Sequence, residues 1–184
     1  MKESEQSFVQ FTHAMGWGHH KYGDVRYCMY CHKPLPKSEL KPDYLLAPVF
    51  TWVECKNSNA TGRWTWRDDI GPGGKRELQR KFLTENGGYL YILLGKGRPV
   101  RDKMTWIIPW GDWLQKIEPK LLELNIASIA YFSTSRTVGA KDIIEFAPYQ
   151  LVWEKGKGWV IPKGHPFFIR YLEKLKAELE KYGE

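Results

Sequence analysis

The stretch "PDYLLAPVFTWVECK", residues 42–56, does most to constrain what this chain can fold into. It is apolar enough for core strand, yet Asp43, Glu54 and Lys56 stand in or beside it. Its aromatic and β-branched residues predict two strands. Ala47-Pro48 separates them, since proline donates no ladder hydrogen bond. In a hairpin centred between Pro48 and Val49, residue i pairs with residue 97 − i, so Tyr44 faces Val53 and Asp43 faces Glu54. Cross-strand partners share a face, and Lys56, two residues past Glu54, points the same way. A one-residue slip would break the constellation.

Two directly opposed carboxylates repel, and a cation between them relieves the repulsion. Hard oxygen ligands suit Mg²⁺ or Mn²⁺. Such a metal lowers the pKa of a bound water and offsets charge on a phosphoryl oxygen. A lysine beside it can position the water or stabilise charge at phosphorus. The set therefore matches phosphodiester hydrolysis. The plainer alternative is a salt bridge at a sheet end, with Lys56 pairing Glu54.

The rest of the chain predicts an α/β protein. Its 184 residues, 42% of them hydrophobic, are enough for one domain with a real core. An amphipathic helix is expected over 3–15, with Phe8, Val9, Phe11 and Met15 at helical spacing and a stop at Gly16. Residues 17–41 read as irregular, and 57–74 as a long Gly-rich loop. A helix over 75–86 leads through Gly87-Gly88 to the strand "YLYILL", and "MTWIIPW" reads as another strand. A helix is expected over 112–125, kinked or broken at Pro119, then a hairpin over 150–162 and an amphipathic helix over 165–182. That last helix is a packing element or a dimer contact.

The formal net charge of +7 favours a polyanionic partner, nucleic acid before an anionic membrane, with a merely basic protein as the alternative. Arg63, Trp64, Trp66 and Arg67 follow the charged strand. Lys75, Arg76, Lys96, Arg98, Arg101 and Lys103 add further cations. These can neutralise phosphates, and the Trp pair either stacks on splayed bases or packs as a lid over the core. With no apolar run long enough to span a bilayer and no signal-like start, the expectation is a cytoplasmic protein without structural disulfides.

"YCMYCHK" places Cys28 and Cys31 at a spacing that can grip a structural Zn²⁺ from a tight turn. His19 and His20 are candidate further ligands, with His13 and His32 as other options. The alternative is two small buried residues in a turn.

Pro42-Asp43 followed by Glu54-Cys55-Lys56 resembles the signature of the PD-(D/E)XK nuclease superfamily. "GKRELQRKFLTENGGYLYILLG" is similar to the second helix and following strand of archaeal Holliday junction resolvases and related phage nucleases. The resemblance covers roughly residues 3–95. It implies a restriction-endonuclease-like αβββαβ core with a mixed central sheet over residues 1–110. The segment 17–41 would be a small Cys/His insertion, and 111–184 a hairpin-plus-helix elaboration on the same domain. It implies a divalent-metal-dependent DNA endonuclease, in which Asp43, Glu54 and the Cys55 carbonyl bind Mg²⁺ or Mn²⁺ and Lys56 is catalytic. Glu5 would support the metal, or simply favour its helix dipole. Gln79 falls where many members place a helix glutamine near the site, and the alternative is a solvent-facing residue. A homodimer acting on branched DNA follows if the resolvase comparison holds. A non-catalytic nucleic-acid-binding module is the rival reading, with an exonuclease or restriction-type nuclease as other variants.

Overall fold

The computed structural model describes residues 2–21, 42–46, 51–134 and 137–167, with 173, 177 and 180. Helix α1 (Glu3–Ala14) buries Phe8 and Phe11 completely and places Glu3 and Glu5 in its first turn. Strands β1 (His19–Lys21), β2 (Tyr44–Leu46) and β3 (Thr51–Asn57) follow as an antiparallel set. Tyr44 pairs with Val53, Leu45 with Trp52 and Leu46 with Thr51, the register expected for the hairpin. Strand β4 (Arg63–Trp64) and the short helix α2 (Trp66–Asp69) lie within 57–74, where the composition predicts only loop. Helix α3 (Glu77–Asn86) then carries the chain across to β5 (Tyr89–Leu94), which runs parallel to β3. Strand β6 (Met104–Pro109) returns antiparallel to β5. The result is a mixed five-stranded sheet in the order β1-β2-β3-β5-β6.

Beyond β6 come α4 (Trp110–Asp112), a wide π-type turn over Trp113–Ile117 and α5 (Glu118–Glu123). The widened turn falls just before Pro119, which lacks an N–H and crowds the carbonyl four residues back. The expected 112–125 helix is thus helical throughout most of its length, with the irregularity at the proline. Strands β7 (Ile129–Ala130) and β8 (Val138–Gly139) join β4 in a small second sheet. The expected hairpin is β9 (Val152–Glu154) and β10 (Gly158–Val160), and β10 packs against α1. Most of the expected 165–182 helix lies outside the described residues.

The central sheet is covered on both faces, so every residue of β5 is buried. Alternation assigns its side chains. Tyr89 and Tyr91 join Phe8, Phe11, Val53 and Cys55 in one core. Leu90, Ile92 and Leu94 join Trp66, Leu83, Trp106 and Trp113 in the other. Glu54 and Lys56 alternate with Val53 and Cys55 along β3, so they project to the Trp-rich side. That is where α3 and α2 lie.

Candidate active site

Continuing the β2–β3 register by one residue sets Asp43 opposite Glu54. The Asp43 backbone N–H points to Glu54 Oε2 at 3.3 Å. Strand β2 ends at this point, and the Asp43 side chain takes the place of the missing ladder partner. Its Oδ2 accepts a hydrogen bond from the Cys55 N–H at 2.8 Å. In a strand the N–H and C=O of one residue leave on the same side. The Cys55 carbonyl therefore turns toward the same edge as Asp43. The Cys55 thiol is buried among Phe8, Tyr44 and Tyr91, and burial raises its pKa well above the usual thiol range.

Glu54 is buried, and three donors hold it. Lys56 Nζ lies 2.8 Å from Oε1, and Gln79 Nε2 donates to Oε2 at 2.5 Å. Gln79 is itself 3% exposed, so it faces the cluster and not solvent. Its place follows from α3, whose apolar Leu83 lies one turn further along the same buried face.

Lys56 has a second partner outside the Asp43/Glu54/Lys56 motif. Asp69 Oδ1 and Oδ2 lie 3.2 and 3.1 Å from its Nζ. The Trp64 indole N–H donates to Asp69 Oδ2 at 2.9 Å. Asp69 ends α2, and the turn after it needs glycine. A Cβ on Gly71 would lie 2.6 Å from the Arg67 carbonyl oxygen, and one on Gly74 would lie 2.8 Å from that of Asp69. The Gly-rich segment thus folds back tightly and delivers a carboxylate to the lysine. A carboxylate followed by closely spaced glycines inside a polar loop was the only available signal.

The electrostatics are those of a crowded anionic cluster. Burial pushes the Glu54 carboxyl up to about 7, against the attraction of Lys56. Burial also raises Asp43, partly offset by the Cys55 N–H, while Glu5 opposes its ionisation further. Burial pulls Lys56 down, but Glu54 and Asp69 outweigh it and hold the ammonium above its ordinary range. If all ionise, three carboxylates face one ammonium.

The structure thus brings together Asp43, Glu54, Lys56 and Gln79. Glu5 is 5% exposed and ion-paired to Lys21 Nζ at 3.0 Å, near enough to Asp43 to oppose its ionisation. Trp64 and Trp66, expected as possible stacking surfaces, are 4% and 0% exposed in the core. Their rings are spent on packing against Trp113, and Trp66 donates to the Ile126 carbonyl. They offer no face to a base. Lys75, Arg76, Arg98 and Arg101 are exposed, while Arg63 and Arg67 are half-buried. Arg67 bonds Asn125 at 3.1 Å, and Arg76 approaches Asp69 at 3.9 Å.

Cys28, Cys31 and His32, the proposed zinc-binding segment, lie outside the described residues, as does the His20 side chain. His19 Nδ1 lies 2.9 Å from the Thr12 hydroxyl, and burial lowers its pKa. Among the described residues no group of three His, Cys, Asp or Glu side chains can enclose a metal ion. The oxygens at the β2 end suit a different kind of site. Mg²⁺ binds through one or two carboxylates and keeps several waters, so Asp43, Glu54 and the Cys55 carbonyl are the groups that could hold it, Glu54 only by exchanging its contacts with Lys56 and Gln79.

Comparison with family models, with curated proteins and with solved structures finds no match to this chain.

Proposed function

We propose that this protein is a divalent-metal-dependent DNA endonuclease. The observation that carries the reading is the convergence of Asp43, Glu54 and Lys56 at one end of the sheet, with Lys56 Nζ 2.8 Å from Glu54. The sequence of α1, three antiparallel strands, α3 and a strand parallel to the third supports it, although β4 and α2 stand between the third strand and α3, outside the αβββαβ order the family resemblance implies. So does the net charge of +7 despite an acidic centre.

Asp43, Glu54 and the Cys55 carbonyl would hold Mg²⁺ or Mn²⁺. Bound there, the metal supplies Lewis acidity toward a phosphoryl oxygen and a more acidic water. The chain's own groups supply the rest. Asp69 and Glu54 keep the Lys56 ammonium charged and aimed at the cluster, where it stabilises negative charge growing at phosphorus. The Cys55 N–H orients the Asp43 carboxylate, and Gln79 orients that of Glu54. The buried setting strengthens each of these interactions relative to water.

The experiment is incubation with duplex, branched and single-stranded DNA in Mg²⁺ or in EDTA, with a mass measurement on the same sample. Cleavage in Mg²⁺ alone supports the nuclease, and a two-fold dimer that cuts branched DNA symmetrically supports the resolvase variant. A second reading is a non-catalytic nucleic-acid-binding module. It is favoured by Glu54, whose two oxygens already hold Lys56 and Gln79. Binding without cleavage of any substrate would select it.

A further inference from the structure

A cavity of about 280 Å³ opens between the ends of β4, β5 and β7. Arg63, Lys96 and Arg98 line it, together with Tyr131 and Phe132. Arg98 lies over the Tyr131 ring at 4.3 Å and over Phe132 at 5.0 Å. The two rings meet edge-on at 4.6 Å, and Phe132 remains 58% exposed. Among the described residues, none of the three cations has a carboxylate within ion-pair distance. Gly95 admits the rings to the strand end, because a Cβ there would lie 3.2 Å from Tyr131.

Three unneutralised cations around an exposed aromatic pair match a ligand with both an anionic and a flat apolar part. A nucleotide has both. The cavity is sized for one such unit, at the small end of ligand sites. It also connects physically to the catalytic cluster. Arg63 precedes Trp64, whose indole holds Asp69, which holds Lys56. Lys96 N–H points at 3.3 Å to the hydroxyl of Ser58, the residue just after β3 and two past Lys56. Along the strands the cavity lies roughly 10 Å from Lys56.

We propose that this cavity is a subsite for one unpaired nucleotide of the bound DNA, adjacent to the cleaved phosphate. Arg63 and Lys96 take the phosphate, and the base stacks on Phe132 and the guanidinium plane of Arg98. A paired base cannot reach this stacking position, so the subsite selects DNA with a single-stranded or splayed segment. The choice of DNA as ligand rests on the nuclease reading above.

The test uses fluorescence anisotropy in EDTA, with a labelled oligothymidylate and a duplex of equal length. Phe132→Ala weakens binding of the single strand roughly 5- to 100-fold and changes duplex binding by less than about twofold. Lys96→Gln lowers the slope of log K against log salt for the single strand by about 0.7. Both side chains are exposed, and a thermal melt of each variant checks that the fold is retained. Unchanged single-strand affinity in both variants, or equal weakening of the duplex, overturns the subsite. A protein that binds single strands through these residues yet cuts nothing in Mg²⁺ retains the subsite and loses the nuclease. One that cuts in Mg²⁺ and ignores both substitutions does the reverse.

Discussion

Glu54→Gln should stabilise the metal-free protein at alkaline pH. The wild-type carboxyl has its folded pKa raised from 4.5 to about 7, because burial disfavours its charged form more than Lys56 favours it. A raised acid pKa is a stability cost that is absent below about 4.5 and fully present above about 7. At about 1.4 kcal/mol per unit, the cost approaches about 3 kcal/mol at pH 8. Glutamine imitates the neutral acid. Its oxygen can keep the Lys56 contact, and the Gln79 amide can turn over to accept from the new N–H. The weak Asp43 N–H contact is lost, for about 1 kcal/mol. The variant should therefore gain about 2 kcal/mol at pH 8 and nothing at pH 5. Urea unfolding in EDTA at the two pH values measures this. A variant less stable than wild type at pH 8, or a difference independent of pH, would refute the electrostatic account of the cluster.

Asp69→Asn removes one of the two charges that hold Lys56, and should slow single-turnover cleavage by roughly 10- to 100-fold while DNA affinity in EDTA stays the same. Glu118→Ala strands Arg80, which it grips with two bonds of 2.8 Å, and should cost about 3 kcal/mol in urea unfolding. His165 accepts the Phe167 N–H at Nδ1 and is 2% exposed; burial lowers its pKa. Its contribution to stability is present above about pH 6.5 and is lost as pH falls through the lowered folded value. In His165→Gln the acid limb of the stability–pH curve should therefore be shallower than in wild type.

The β2–β3 register was legible because strand side chains alternate with period two, and Pro48 leaves few places to turn. The apolar runs at 89–94 and 104–109 read as strands for the same reason. Strand β1 was not legible, because His19-His20-Lys21 has no apolar alternation and is strand only by pairing with β2. The Trp64 and Trp66 environment was equally hidden. A polar, Gly-rich stretch gives no periodicity, and the partners that bury these rings, Trp113 and Ile126, lie far along the chain. Gln79 and Asp69 show the limit most clearly. Each reaches the cluster through the path of the chain after β3. A tight glycine turn sets Asp69, and the packing of the α3 face that buries Gln79 and Leu83 sets Gln79. Local sequence does not encode either distance.

The most direct test of the central claim is single-turnover DNA cleavage in Mg²⁺ by Asp43→Ala and Lys56→Ala, with DNA affinity measured in parallel in EDTA. The account predicts that both variants lose cleavage while affinity stays within about threefold of wild type, since neither side chain lies among the exposed cations proposed to neutralise phosphate. An Asp43→Ala protein that cleaves at the wild-type rate would contradict it.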